Sequence, residues 1–275
     1  GRERIMSDGV FWEIVERPVS ASIVAVCVSL YVYHAWRDVD PGAFSFSYEE
    51  VLEHGEWWRS VTAAFSHLGI LHLAFNMSTF WSFSPMERQM GSMDFLAQIF
   101  LLLVLSKFLM LLLCHLGIHY LRRPHMAQQG AAGFSGVLFG LMSMNAIAHW
   151  NAPLSFLGLF SMPSVVAPFG YLIFTQLLFR NTSFLGHLAG ILAGFLVGLR
   201  VFTWVNTYWF FQGVTWYSLL LLWSLREHRW FSWLRFQVEG SRDVTSILGS
   251  RGLVVNGVLH RRRNSDGQPG TLPLV

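Results

Sequence analysis

The chain has 275 residues, 53% of them hydrophobic and only 13% charged, with a net charge of +3. A soluble domain carries about 25% charged residues, so this composition excludes an ordinary water-soluble globule and describes a protein that crosses a membrane several times. The charges are also segregated: no Asp or Glu occurs between Asp94 and Glu227, and the basic excess lies in the last fifty residues, where eight arginines face four acids. No aromatic-interleaved basic motif accompanies those arginines, so residues 226–275 read as a disordered, lipid-facing cytoplasmic tail and not as a nucleic-acid site. Cys27 and Cys114 fall inside apolar runs and imply no disulfide. The sequence opens at Gly1 without a methionine and reads as a fragment, with no cleavable signal peptide visible.

Residues 1–18 are polar and end at Pro18, and residues 19–36 form the first predicted span. A long acidic loop, 37–66, carries Trp57-Trp58-Arg59, which suits a partly inserted interfacial segment. The second span, about 67–83, holds His72 and Asn76. A polar turn with Glu87 and Gly91 leads to a long third span, about 95–121, which must tilt. The fourth span runs over about 133–149. A loop with Pro153 and Pro163 follows, then a fifth span over 164–179 and a sixth over 184–204. A further apolar run of 19 residues, 207–225, is near the minimum for a crossing and is either a seventh span or a helix lying in the interface. The expected fold is therefore all-α, a polytopic bundle of six helices with this additional hydrophobic segment. Arg2, Arg4 and Arg17 before the first span and acids after it favour a cytoplasmic N-terminus. Arg122-Arg123 falls on the far side and runs against that assignment.

Residues 130–144, GAAGFSGVLFGLMSM, organise the rest. Ser135 stands between Gly133 and Gly136 at the start of an apolar helix. Unpaired N–H groups and the helix dipole favour negative charge there, which is where a tetrahedral oxyanion would be stabilised. A helix-packing serine is the plainer reading. The sixth span carries glycines at 186, 190, 194 and 198, every fourth residue, with His187 beside the ridge. Gly136 and Gly140 offer a matching small-residue face. If those faces meet, His187 leans onto Ser135. An ionisable residue inside a span is costly and is usually functional. A serine hydroxyl needs a base, and histidine titrates near neutrality. No carboxylate is present in spans three to six, so a serine hydrolase here would use a Ser135–His187 dyad, with Phe139 stacking on the imidazole. His72 and Asn76, four apart, share one helix face. They form either an oxyanion hole with the Ser135 amide or an interhelical clasp.

These residues resemble the rhomboid intramembrane serine proteases. The matching positions are Trp58-Arg59, His67, His72 with Asn76, Glu87, Gly91-Ser92, Gly133 with Ser135-Gly136, and His187 with Gly190 and Gly194, in family order over roughly residues 20–204. The stretches GFSGVLF (133–139) and TSFLGHLAGI (182–191) look most like the rhomboid-like-four group of the endoplasmic reticulum. The resemblance implies Ser135 as nucleophile, His187 as base, and His72, Asn76 and the Ser135 amide as oxyanion hole. Gly133, Gly136, Phe139, Gly190, Gly194, Trp58 and Arg59 are implied in support. It also implies a protease domain over 19–204, transmembrane proteins as substrates, lipids as surroundings, and neither cofactor nor metal. Two positions depart from the family: Gln89 stands where an arginine is common, and Phe139 replaces the tyrosine of bacterial members. The tail shows no recognisable motif for quality-control partners such as ubiquitin or an ATPase.

Other chemistries fit less well. There is no H-E-x-x-H and no intraspan aspartate pair. His115 and His119, with Cys114 and His125 nearby, form a candidate metal cluster. Lys107 offers a Ser–Lys alternative. A catalytically inactive relative that binds membrane clients is the non-enzyme alternative, although such proteins typically lose the serine or the histidine. A channel or transporter would show charged spans or inverted repeats.

Overall fold

The computed structural model describes residues 9, 11–150, 152–156, 160–179, 182–203, 207–226, 253–255 and 258–260. Residues 1–225 form one compact unit. Its helices are α1 (Pro18–Arg37), α2 (Arg59–Phe65), α3 (Ile70–Phe83), α4 (Pro85–Met90), α5 (Ser92–His119), α6 (Ser135–Ala148), α7 (Ala167–Leu178), α8 (Phe184–Gly198) and α9 (Thr207–Arg226). The connection from α6 to α7, read from sequence as plain loop, contains an antiparallel hairpin of β1 (Pro153–Phe156) and β2 (Phe160–Pro163). Residues 226–275 are a separate unit, in which a second antiparallel hairpin joins β3 (Leu253–Val255) to β4 (Val258–His260). The rest of the expected tail, and Arg180 and Asn181, lie outside the described residues.

The helix starts follow from local chemistry. Pro18 opens α1, where a missing N–H costs nothing. The free amides of Val19 and Ser20 donate to the Glu87 carboxylate at 2.9 and 2.8 Å, and the Ser20 and Ser92 hydroxyls add two bonds of 2.7 Å. Glu87 is 1% exposed. Burial alone would raise its pKa, but these four donors outweigh it and hold the carboxyl below the usual value. The polar turn of the sequence reading is thus a helical cap, α4, that ties α1, α3 and α5 together.

Among the described residues, α1 and α5 are each long and apolar enough to cross a membrane. The α5 helix, at 28 residues, would extend about 42 Å against a hydrocarbon core of about 30 Å, more than enough to cross. By contrast α6, α7 and α8 have 14, 12 and 15 residues, shorter than the spans read from sequence. The missing length of the fourth span is non-helical. Residues 131–134 lead into α6 as a bridge residue followed by a bend and a turn, and non-helical chain inside a membrane bundle is tolerated only where protein covers it. Ala131, Gly133 and Phe134 are buried. The core joins Phe80 of α3, Phe95 and Leu102 of α5, Phe134 and Leu141, and Ala193 of α8. The outer face is also apolar, with Val32, Phe108, Leu112, Ile173 and Leu177 exposed, as suits a bundle solvated by lipid.

The α6 and α8 helices pack backbone to backbone. A Cβ on Gly190 would collide with the carbonyl of Gly136, and one on Gly194 with the carbonyl of Gly140. Only hydrogen fits there, so the two small-residue faces meet as their spacing predicts. The α9 helix lies along α5, with Phe210 and Tyr217 against Phe100 at 5.8 and 5.6 Å between ring centroids. Farther along, the Tyr217 hydroxyl donates to Ser60 Oγ at 2.5 Å and Ser224 Oγ to the Gly55 carbonyl at 2.7 Å.

Candidate active site

The site begins with the strand-like lead-in to α6. Phe46 and Ala131 exchange backbone hydrogen bonds of 3.0 and 2.8 Å, and the Gly133 amide donates to the Ala63 carbonyl at 2.8 Å. Gly133 has φ +121°, a conformation that L side chains rarely adopt, and a Cβ there would press on the His72 ring at 2.8 Å. The Phe134 amide donates to His67 Nε2 at 3.4 Å. These contacts end the lead-in and deliver Ser135 as the first residue of α6.

Opposite it, Ser183 caps α8 by accepting from the Gly186 amide at 3.1 Å, and His187 follows in the first turn. The glycine contact brings the helices so close that His187 Nε2 lies 2.9 Å from Ser135 Oγ. His187 is 3% exposed and Ser135 half-buried. The Phe139 ring sits 4.7 Å from the imidazole, inclined by 35°. His187 Nδ1 is buried with no hydrogen-bond partner among the described residues. With the serine as donor, that nitrogen carries the ring proton.

A cavity of about 520 Å³ opens over the pair. His72 and Asn76 line it from α3, Phe139 and Asn145 from α6, and Tyr171 and Thr175 from α7. His72 is 9% and Asn76 4% exposed. Asn76 Nδ2 donates to the His72 carbonyl at 2.8 Å, which occupies one of its two amide hydrogens. The wall between this cavity and the outer face of α3 and α7 is aromatic: Phe179 lies 5.8 Å from His72 and 5.7 Å from Phe75. On the α5 side a second cavity, of about 20 Å³, is lined by Ser106, Lys107, Gly133, Ser135, Ser183 and His187.

The structure therefore brings together Ser135, His187, His72, Asn76, Gly133, Gly136, Phe139 and Gly190 around one centre, with Gly194 a turn farther along the same contact. Trp58 and Arg59, expected in support, stand apart from the cavity and hold the loop before α2. Arg59 is 6% exposed and pinned in the 41–56 loop: it pairs with Glu56, bonds the carbonyls of Gly42 and Ser45 at 2.5 and 3.1 Å, and stacks 4.9 Å from the Trp58 ring. Its guanidinium needs several acceptors, and the folded loop supplies them. His67, matched by motif but given no role from sequence, holds the Phe134 amide. His115 Nδ1 lies 2.9 Å from the Tyr48 hydroxyl, which ties the end of α5 to the 37–66 loop.

Residues 54–204 match the Rhomboid domain. The chain belongs to the rhomboid family. It is similar to rhomboid-like protein 15 of Arabidopsis thaliana, with 31% identity over 72% of this chain and 50% of that protein. It is also similar to human rhomboid-related protein 4, with 34% identity over 54% of this chain and 48% of that one. Among bacterial relatives, the rhomboid protease GlpG of Serratia proteamaculans is 26% identical over 66% of this chain and 61% of its own length. The chain spans about half the length of the first two. Membership in the family makes it an integral membrane protein.

Proposed function

We propose that this rhomboid is an active intramembrane serine endopeptidase that cleaves transmembrane segments of other membrane proteins. The observation that carries the reading is the 2.9 Å approach of His187 Nε2 to Ser135 Oγ at the floor of a protein-lined cavity. In the reaction, Ser135 Oγ attacks the scissile carbonyl carbon as His187 takes its proton. His72, Asn76 and the Ser135 amide donate to the resulting oxyanion. His187 then protonates the departing amine, and water hydrolyses the acyl-enzyme by the same proton route in reverse. With no carboxylate on His187 Nδ1 among the described residues, packing against Phe139 orients the ring. An intact helix shields its own peptide bonds with i→i−4 hydrogen bonds, so the scissile segment must unwind before its carbonyl reaches Ser135. Substrates are therefore segments whose Gly, Pro or polar residues let a transmembrane helix unwind. The Phe75–Phe179 wall is where such a segment enters from the lipid side.

We place the protein in the endoplasmic reticulum, on its likeness to rhomboid-related protein 4. A second relative, 35% identical, is named rhomboid-like protein 14, mitochondrial, and makes the mitochondrion the competing location, which imaging of the tagged chain decides.

The test of activity is cleavage of a model transmembrane substrate in liposomes, together with fluorophosphonate labelling. Wild type is expected to cleave and to be labelled at Ser135, and Ser135→Ala and His187→Ala to lose both while still inserting. Client binding without cleavage by wild type would establish an inactive client-binding protein instead.

A further inference from the structure

Lys107 sits near the middle of α5, in a stretch of chain that has no carboxylate from the residue after Asp94 to the residue before Glu227. No ion pair among the described residues involves it. An ammonium inside a membrane bundle is costly and persists where something compensates it. The compensation here is a ring: Lys107 Nζ lies 4.6 Å from the centroid of Phe46, within cation–π range. Phe46 is 1% exposed. It is also the residue whose backbone pairs with Ala131 through both hydrogen bonds of the bridge. Ala131 stands two residues before Gly133, whose amide is fixed on Ala63 and whose φ of +121° turns the chain into Ser135.

Met110 and Leu111, one turn after Lys107, pack in the same cluster as Phe46, Ala63 and Ala131. That face of α5 thus presents both the cation and its apolar setting to the lead-in of the nucleophile. A methionine would fill the same space without a charge to accommodate, so packing alone does not account for a lysine. Lys107 also lines the 20 Å³ cavity with Ser135 and His187, so it borders the pair without entering the larger cavity where substrate goes.

We propose that Lys107 is a positioning residue: its cation, seated on the Phe46 ring, locks the Phe46–Ala131 bridge and so holds the Gly133–Ser135 turn against His187. The proposal rests on the reading of Ser135 as nucleophile. It also has consequences for backbone order that do not depend on activity.

The test uses the full chain in liposomes with Lys107→Met, Lys107→Arg, Phe46→Leu and the Lys107→Met/Phe46→Leu double variant. Cleavage kinetics, melting temperature and hydrogen exchange of peptides covering 44–48 and 130–134 are measured on each. Lys107→Met is expected to lower kcat about fivefold to thirtyfold, the scale of one desolvated cation–π contact, with KM unchanged. Exchange should rise in both peptides. Lys107→Arg keeps a cation on the ring and should retain most of kcat. In the Phe46→Leu background, Lys107→Met should make no further difference.

Unchanged exchange at 130–134 in Lys107→Met overturns the proposal, and so does an equal loss of kcat with Phe46 or Leu at that position, since the charge would then act without the ring. If Lys107→Met fails to insert or fold, Phe46→Leu carries the test alone: exchange at 130–134 must rise, and no rise overturns the tether. Absence of cleavage and labelling in wild type would instead overturn the reading of Ser135, and the exchange data would still decide the tether.

Discussion

His72 and Asn76 do not stand in the same relation to Ser135. Asn76 already gives one amide hydrogen to the His72 carbonyl, leaving the other for the cavity, whereas the His72 ring lies on Gly133 and helps seat the turn before the nucleophile. Loss of one oxyanion-hole donor costs about 10² to 10³ in rate. Asn76→Ala is therefore expected to lower kcat on that scale with KM little changed, and His72→Ala to lower kcat at least as far while also lowering the melting temperature. Steady-state kinetics and a melt on each variant check this, and normal turnover in both would reduce the pair to a clasp between helices. The approach of Ser135 to His187 was legible in the sequence because it follows from two glycine spacings and one helix period. The binding of the Phe134 amide by His67 was not legible, because nothing local couples residues that far apart. Trp58-Arg59 shows the limit of a motif: it names the residues but not which acceptors the guanidinium finds.

The element that fixes the site is the contact between α6 and α8, and its glycines are not equivalent. At Gly190 an added Cβ meets the backbone of Gly136, immediately after the nucleophile, which cannot move without moving Ser135. At Gly198 it meets Ile147 Cβ at 3.0 Å and Met144 Cα at 3.3 Å, at the far end of the helix. Overpacking typically costs about 1–3 kcal/mol, and a shift of about 1 Å in a catalytic group costs about 10²-fold. Gly190→Val should lose most activity and stability together, and Gly198→Val should lose stability with a smaller loss of activity; equal activity losses would mean the contact is not a local positioning device. The cap at the other end of the bundle supplies a pH dependence. Glu87 has a carboxyl pKa below its unfolded value of about 4, so its stabilisation is complete above that pH and is lost as pH falls through the lower folded value. Melting temperature should therefore drop on the acid side of about pH 4. Glu87→Gln, which leaves buried donors facing an amide, should cost about 1.5–3 kcal/mol at neutral pH and flatten that acid drop. An unchanged acid limb in Glu87→Gln would assign it to other carboxylates. The start of α6 at Ser135 was legible from its flanking glycines, but the ends of the fifth and sixth spans were not: α7 and α8 are shorter than the apolar runs that hold them.

At the scale of the molecule, the open question in the sequence was the run after residue 206. Its length allowed a crossing, and the arginine-rich stretch beyond it argued against one by charge bias. By length and composition α9 is not among the helices apolar enough to cross, but contacts at its two ends favour a crossing. The α4 cap and the start of α5 mark one side of the bundle, because α1 begins there on Glu87 and α3 ends there. The 37–66 loop marks the other, because α1 ends and α3 begins beside it and the end of α5 reaches it through His115 and Tyr48. The first half of α9 packs along the first half of α5, through Phe210 and Gly213 on Phe100; Tyr217, at its middle, touches both Phe100 and Ser60, and Ser224 near its end bonds the Gly55 carbonyl in that loop. Its 20 residues would cover about 30 Å, the thickness of the hydrocarbon core. We therefore expect α9 to be a seventh transmembrane helix. Single cysteines at Tyr208 and Trp223, which are 61% and 55% exposed, in a chain with Cys27 and Cys114 replaced, should react with a membrane-impermeant maleimide from opposite faces of sealed vesicles. Labelling of both from one face would make α9 an interfacial helix. The bond of Ser224 to Gly55 could then not coexist with the packing of Phe210 along the start of α5, so one of the two contacts would have to be given up.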